Sequence, residues 1–236
     1  MGARDGIGNP LSILESSNNY LFNMIGGGNS LGAGCNGQEF LVNKIRKIAP
    51  MPFRVLDAPN LCDDFYLNLM DWSAENALGV ALDRSVYIWN ANTESVTELV
   101  RLPELNQVTS VAWSQQGKHL SVGTLDGQLQ IWDVNKQKLV RTMRGHTHRV
   151  GACAWSNSLV ASGSKDKTIM VRDVRSPCDF TQQLNGHRQE VCGLRWSYHD
   201  ESMLASGGND NKLMIWQTGH THRTSDQITE PLARFS

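Results

Sequence analysis

The chain has 236 residues and a mass of 26.2 kDa, and its 22 Lys and Arg residues against 23 Asp and Glu residues leave a net charge of -1. A hydrophobic content of 40% with 19% charged residues is typical of a folded protein with a sizeable core. The balanced charge excludes a basic field that would attract nucleic acid or an anionic membrane. No apolar run reaches the roughly 18 residues that a membrane-spanning helix needs.

Residues 1–50 differ in composition from the rest and predict a flexible N-terminal tail with a basic linker. They are rich in glycine, with the run GGGNSLGAGCNG at 26–37. A formal GxGxxG pattern falls at 32–37, but no strand–helix–strand pattern surrounds it, so we expect no dinucleotide cofactor. The basic segment NKIRKI at 43–48 is interpreted either as a solvated linker or as a nuclear-import or docking element.

The cysteines are scattered and form no CxxC pair, which predicts reduced thiols with neither a disulfide framework nor a zinc site. The five cysteines are Cys35, Cys62, Cys153, Cys178 and Cys192. We therefore expect no bound metal and no cofactor.

The tryptophans reveal an internal repeat between Trp72 and Trp216. Four of them close short apolar runs and lie 41, 42 and 41 residues apart: Trp72, Trp113, Trp155 and Trp196. A second kind of run ends, once in each repeat, at Trp89, Trp132, Arg172 and Trp216. An aspartate precedes each of these four positions by six residues: Asp83, Asp126, Asp166 and Asp210. The chain is therefore a repeat protein.

A period near 41 with four short runs of β-forming residues per repeat is typical of the blades of a WD40 β-propeller. We predict an all-β fold over residues 51–236, with four of an expected seven blades and hence an open or incomplete ring. The blades are predicted near 62–100, 101–143, 144–185 and 186–236. The β-prone run PFRVLD (52–57) belongs to no complete repeat, and the final PLARFS (231–236) is predicted as the fourth blade's outer strand.

A serine, a histidine and an aspartate fall within the fourth repeat and raise the possibility of nucleophilic catalysis. In a WD blade, however, the same residue types form a buried hydrogen-bond relay in which histidine bridges the aspartate and the serine, and tryptophan closes the set. The predicted relay is His187, Ser206, Asp210 and Trp216. Because the Asp and Trp positions recur with the repeat, we favour the structural interpretation and predict no catalytic residue and no enzyme activity.

The other repeats carry only part of this pattern. The third retains His146, Ser162 and Asp166 but has Arg172 in the tryptophan position, which predicts an incomplete relay. The first two repeats lack the histidine.

Four stretches give the sequence a specific family resemblance. They are KIAPMPFRVLDAPNLCDDFYLNLMDWS (47–73), GHTHRVGACAWS (145–156), GHRQEVCGLRWS (186–197) and LASGGNDNKLMIW (204–216). Together they resemble the fizzy and fizzy-related WD40 co-activators of the anaphase-promoting complex, and PFRVLDAP and DDFYLNL favour the fizzy-related branch.

The resemblance implies an adaptor that recruits cell-cycle substrates to a ubiquitin ligase by binding their destruction-box and KEN-box degrons, and that acts in the nucleus and cytoplasm. Its partners would be subunits of the anaphase-promoting complex and degron-bearing substrates. Asp57 matches the position that pairs with the destruction-box arginine, and a carboxylate suits that bidentate contact. Asn209 and Asn211 match residues that contact the KEN box. The alternative for all three is simple turn chemistry.

The sequence also departs from the family. Residues 1–50 contain no DR(Y/F)IPxR docking motif, and the chain ends in LARFS without the isoleucine-arginine tail. We therefore keep a truncated, non-activating WD40 interaction module as the alternative function. An open arc would expose apolar faces on the first and fourth blades, which predicts a fragment prone to self-association through those edges.

Overall fold

The computed structural model of the protein describes residues 49–218, 228–229 and 231–235. The chain divides into two compact units, Met1–Pro59 and Asn60–Ser236. The predicted tail, the GxGxxG pattern and the basic segment lie outside the described residues, apart from 49 and 50. In the first unit, the β-prone run 52–57 forms no continuous strand and contains a single bridge residue, Leu56.

The second unit consists of four antiparallel sheets that follow one another along the chain, as a propeller requires. The first sheet contains β1 (Met70–Trp72), β2 (Ala77–Leu82), β3 (Ser85–Asn90) and β4 (Ser95–Arg101). The second contains β5 (Val108–Trp113), β6 (His119–Thr124), β7 (Leu129–Asp133) and β8 (Lys138–Met143). The third contains β9 (Val150–Ser156), β10 (Leu159–Ser164), β11 (Thr168–Asp173) and β12 (Gln182–Asn185). The fourth contains β13 (Val191–Trp196), β14 (Met203–Gly208), β15 (Lys212–Gln217) and β17 (Ala233–Phe235). The predicted all-β WD40 architecture with four blades is confirmed.

The tight turns depend on residues that tolerate a left-handed backbone. Asp83 (φ 54°), Gly127 (φ 86°), Asn157 (φ 50°) and Asn211 (φ 59°) all lie in turns between consecutive strands. Aspartate, asparagine and glycine are the residues that adopt this conformation at least cost, so the turn chemistry fixes where each strand ends.

The end of the chain is shared between two blades. PLARFS supplies β17, which pairs with β15 as the outer strand of the fourth blade, as predicted. The polar segment before it contains β16 (Ile228–Thr229), which pairs in parallel with β12 and adds a fifth strand to the third blade. The outer edge of the third blade was free to accept this strand.

The core lies between the blades. One cluster joins the first and second blades around Val86, Val111 and Leu120. Another joins the second and third around Ile131 and Trp155. A third joins the third and fourth: Ala154, Ala161, Ile169, Val171, Leu184, Val191, Trp196, Leu204, Met214 and Trp216. Each blade thus buries its apolar face only by packing against a neighbour.

Asn68 connects blades that are not neighbours in sequence. Its backbone forms a parallel bridge with Ser110 on β5. Its side-chain amide donates to the carbonyl oxygens of Gly151 (2.6 Å) on β9 and Cys192 (3.1 Å) on β13. One residue of the first repeat therefore touches the innermost strands of the other three blades.

No helix within the described residues is long and apolar enough to cross a membrane. The same part of the chain contains no group of three or more His, Cys, Asp or Glu side chains arranged to hold a metal ion.

Candidate functional site

The fourth blade contains a continuous hydrogen-bond relay. His187 Nδ1 lies 3.0 Å from Asp210 Oδ1, and His187 Nε2 lies 2.7 Å from Ser206 Oγ. Trp216 Nε1 donates to the same Ser206 oxygen at 2.8 Å. Because the Trp216 indole donates to the Ser206 oxygen, we assign the Ser206 hydroxyl proton to a hydrogen bond with His187 Nε2. The ring proton of His187 is then on Nδ1, which donates to Asp210.

This relay is closed to solvent. The Ser206 residue is 1% exposed and Trp216 is 0% exposed, so no substrate can reach the serine hydroxyl. Burial opposes the charged form of Asp210, but hydrogen bonds from the Arg188 backbone N–H and from His187 outweigh it and hold the pKa of this carboxyl below its ordinary value. The relay thus satisfies buried polar groups and positions the turn before β15.

The third blade forms an equivalent relay with a different fourth member. His146 Nδ1 and Nε2 lie 2.9 Å from Asp166 Oδ2 and 2.9 Å from Ser162 Oγ. Arg172 Nη1 donates to Ser162 Oγ, as the Trp216 indole does to Ser206. The prediction of an incomplete relay is therefore wrong, because a guanidinium N–H replaces the indole N–H.

Arg172 is an unusual core residue because it is fully buried. Its Nη2 donates to the Arg144 carbonyl at 3.2 Å, whereas its Nε has no hydrogen-bond partner among the described residues. Burial lowers the pKa of the Arg172 guanidinium to about 10. Burial also lowers the pKa of His146, so its imidazole is neutral and donates one proton to the ionised Asp166.

Asn209 and Asn211, the two asparagines of the predicted KEN contact, lie in the exposed turn between β14 and β15. The Asn209 side chain accepts a hydrogen bond from the Tyr66 hydroxyl at 3.0 Å and donates to Gln189. Its backbone N–H donates to the Glu190 carbonyl at 2.8 Å, which fixes the position of the turn. The structure thus groups Tyr66, Gln189 and Asn209 in one exposed polar surface, the Asn209 surface.

An ion-pair cluster lies beside this surface. Arg149 makes two hydrogen bonds to Glu190, from Nε to Oε1 (2.7 Å) and from Nη2 to Oε2 (3.0 Å). Its Nη1 donates to Asp64 Oδ2 at 2.8 Å, and the guanidinium lies 5.6 Å from the centre of the Tyr66 ring. The hydrogen bonds to Glu190 are the main cause of the raised pKa of Arg149, so this side chain is always charged.

Asp57, the predicted destruction-box contact, is exposed and belongs to the first compact unit, Met1–Pro59. Because Asp57 is exposed, its carboxylate is accessible to a ligand.

Sequence reasoning missed Tyr66, Asp64 and the Arg149–Glu190 pair. Tyr66 and Asn209 are 143 residues apart, and no repeat position connects them. The ion pair did have a signal, because Arg149 and Glu190 each stand four residues after the glycine of a Gly-His pair and carry opposite charges.

Comparison with known proteins places this architecture in a family. Residues 56–235 match the CDC20/Fizzy WD40 domain. The chain is 51% identical over 194 residues to Protein FIZZY-RELATED 1 of Arabidopsis thaliana, which covers 82% of this chain and 39% of that protein. It is 51% identical over 180 residues to the anaphase-promoting complex subunit cdh1 of Dictyostelium discoideum, covering 75% of this chain and 24% of that protein.

A solved structure agrees with these matches. A chain in the crystal structure of a mitotic checkpoint complex is 41% identical and superposes with a TM-score of 0.72, over 87% of this chain and 60% of that one. The protein therefore spans less than half the length of these two curated relatives.

Proposed function

The chain belongs to the CDC20/Fizzy family of WD40 proteins, and on this premise we propose that it acts as a fizzy-related co-activator. In this role it recruits degron-bearing cell-cycle substrates to the anaphase-promoting complex. The role is that of a non-enzymatic adaptor. It would place the chain in the nucleus and cytoplasm.

The observation that carries the proposal is the exposed Asn209 side chain, held by Tyr66 and Gln189. An amide both donates and accepts hydrogen bonds, so it suits the Asn and Glu side chains of a KEN peptide. The Glu190 carbonyl accepts a hydrogen bond from the Asn209 backbone N–H, and Arg149 holds the Glu190 side chain. A turn fixed in this way lowers the conformational entropy that binding would otherwise cost.

The neighbouring Asn211 supports the same assignment, because it adopts a left-handed conformation (φ 59°) that exposes its side chain at the tip of the turn. For the destruction box, we assign Asp57 to the arginine of the degron, since an exposed carboxylate accepts both arms of a guanidinium. An adaptor role, rather than a catalytic one, is also supported by the burial of Ser206 and Ser162 within their relays.

The test is peptide binding to the 236-residue chain by fluorescence polarisation. A KEN-box peptide should bind more tightly than its scrambled version, and Asn209→Ala should weaken binding about tenfold, equivalent to about 1.4 kcal/mol. Asn135→Ala changes a comparable exposed asparagine in the turn between β7 and β8 and serves as the matched control. A destruction-box peptide should respond to Asp57→Ala in the same way. Equal binding of native and scrambled peptides would refute the proposal.

A second candidate is a truncated, non-activating WD40 interaction module that binds partner proteins but does not dock on the ligase. Capture of the purified anaphase-promoting complex separates the two functions: the adaptor binds both peptide and ligase, whereas the module binds peptide alone.

A further inference from the structure

Three loops at one end of the third and fourth blades carry an excess of positive charge. They are 144–149, which precedes β9, 165–167, which joins β10 to β11, and 186–190, which precedes β13. Together they contain five Arg and Lys residues and two Asp and Glu residues, a net charge of +3 with the histidines neutral. The whole chain carries -1, so this excess is local.

The three loops contact one another. The Thr147 backbone N–H in the first loop donates to the Asp166 carboxylate in the second at 3.1 Å. The Lys165 backbone N–H donates in turn to the Arg149 carbonyl at 3.1 Å. The Arg149 side chain then binds Glu190 in the third loop. The positive charges are therefore held on one continuous surface.

Four of the five cations are exposed and form no ion pair with another described residue. We name these four the basic surface: Arg144, Lys165, Lys167 and Arg188. The fifth cation, Arg149, is bound to both Asp64 and Glu190, so these two carboxylates are not available to the basic surface.

The other carboxylates near the basic surface are held in the two relays. Asp166 stands between the two lysines in sequence but accepts a hydrogen bond from the His146 ring at 2.9 Å. Asp210 is bound in the same way to His187 at 3.0 Å. The side chains of these aspartates are only 9% and 4% exposed. Neither can turn outward to neutralise an exposed lysine without breaking its relay.

The buried Arg172 cancels the charge of the relay beneath the lysines. Burial lowers its pKa to about 10, which leaves the guanidinium charged at neutral pH. Burial opposes the ionisation of Asp166, but the hydrogen bond from His146 outweighs it and lowers the pKa of the carboxyl. One cation and one anion therefore balance within the third blade, and the exposed cations above them stay uncompensated.

The corresponding loops of the second blade have the opposite sign. The loop at 102–107 contains the exposed Glu104, and the loop at 125–128 contains the exposed Asp126; neither loop contains Lys or Arg. A long polyanion such as a nucleic acid would meet like charges as it continued over this face, whereas a short acidic peptide would not.

We propose that the basic surface binds a short acidic segment of a partner protein, a stretch rich in Glu and Asp. Each carboxylate of the segment would pair with a cation that has no partner in the described part of the chain. The loops are already fixed by the relays and by Arg149, so their backbone need not be ordered on binding. The proposal goes beyond degron binding, because none of the four cations belongs to the Asn209 surface.

The test is the fluorescence anisotropy of a labelled peptide rich in Glu and Asp, without a degron motif, added to the 236-residue chain. It should bind more tightly than the same peptide with Gln and Asn in place of Glu and Asp. Its affinity should fall as NaCl is raised from about 50 to about 300 mM, because salt screens exposed charges.

Charge reversal locates the binding surface. Lys165→Glu combined with Lys167→Glu should weaken binding about tenfold. Lys118→Glu combined with Lys138→Glu changes the net charge equally at exposed positions of the second blade and is the matched control. Circular dichroism shows whether each variant is folded. If the first pair is not, Lys165→Gln alone should still weaken binding about threefold.

Several outcomes would overturn the proposal. They are equal binding of the acidic and neutral peptides, equal losses in the two lysine pairs, and a single-stranded oligonucleotide that binds more tightly than the acidic peptide. Acidic-peptide binding that persists in Asn209→Ala supports the proposal and separates it from degron binding, whereas its loss in that variant would overturn it.

Discussion

Arg149 and Glu190 occupy the same position of successive repeats, and their side chains form a two-bond ion pair across the joint between the third and fourth blades. The Glu190 side chain is only 7% exposed and that of Arg149 16% exposed. A desolvated carboxylate of this kind depends on its partner. The pair therefore links the stability of the joint to the geometry of the Asn209 surface beside it.

Replacing Arg149 by leucine should destabilise the protein by about 3 kcal/mol, because Glu190 is left buried and unpaired and Asp64 loses its cation. Arg149→Lys retains the charge but loses the fork of donors, so it should cost less. Urea unfolding followed by tryptophan fluorescence measures both. A leucine variant as stable as the lysine variant would contradict the assignment.

The two relays predict different costs for the same substitution. Ser206→Ala removes the partner of an uncharged indole and should cost about 2 kcal/mol. Ser162→Ala removes a partner of a buried guanidinium and should cost more, about 3 kcal/mol. Unfolding free energies of the two variants, determined in parallel, give the comparison. The reverse order would mean that Arg172 does not depend on Ser162.

Stability should fall on mild acidification because of His146. Burial lowers its pKa below the ordinary 6.5, so below that pH the unfolded chain binds a proton that the folded chain does not. The unfolding free energy therefore increases as the pH rises to about 6.5. As the pH falls below this value, the stabilisation that comes from the neutral His146 is lost. Asp166 adds to the trend at lower pH, since its lowered pKa stabilises the fold above 3.8.

His146→Gln tests this assignment, because glutamine cannot titrate. Unfolding free energies between pH 5 and 7.5 should show a shallower slope for the variant than for the native chain. An unchanged slope would mean that another group titrates in this range.

Arg172→Trp should stabilise the protein by about 1–2 kcal/mol. The substitution removes a buried cation whose Nε has no partner among the described residues and supplies an indole N–H to Ser162, as Trp216 does to Ser206. Arg172→Lys is the control and should destabilise. Differential scanning calorimetry reports both changes, and a lower melting temperature for the tryptophan variant would rule out the equivalence of the two relays.

The sequence predicts the fold well because its dominant signal is periodic. Inner-strand tryptophans near every 41 residues and left-handed turn residues fix the strand order, and PLARFS follows the same pattern into β17. The relay of His187 and Ser206 follows too, since its members recur at fixed positions.

Contacts outside the period were not predictable. Tyr66 reaches Asn209 across 143 residues, and only folding shows that the two meet. Arg172 was interpreted as the loss of a tryptophan because residue type suggested a lost aromatic ring, whereas the relay needs only an N–H donor at that point. The parallel pairing of Ile228–Thr229 depends on a free edge in another blade, which no local pattern records.

Asn68 changes how the four blades share stability. In a linear repeat array each unit contacts only its neighbours, so the ends can unravel one unit at a time. Here a single amide joins the first repeat to Gly151 and Cys192 in the third and fourth blades. Losing the first blade would therefore also remove hydrogen bonds from the two blades farthest from it in sequence. We expect nearest-neighbour additivity to fail for these blades and their unfolding to be coupled.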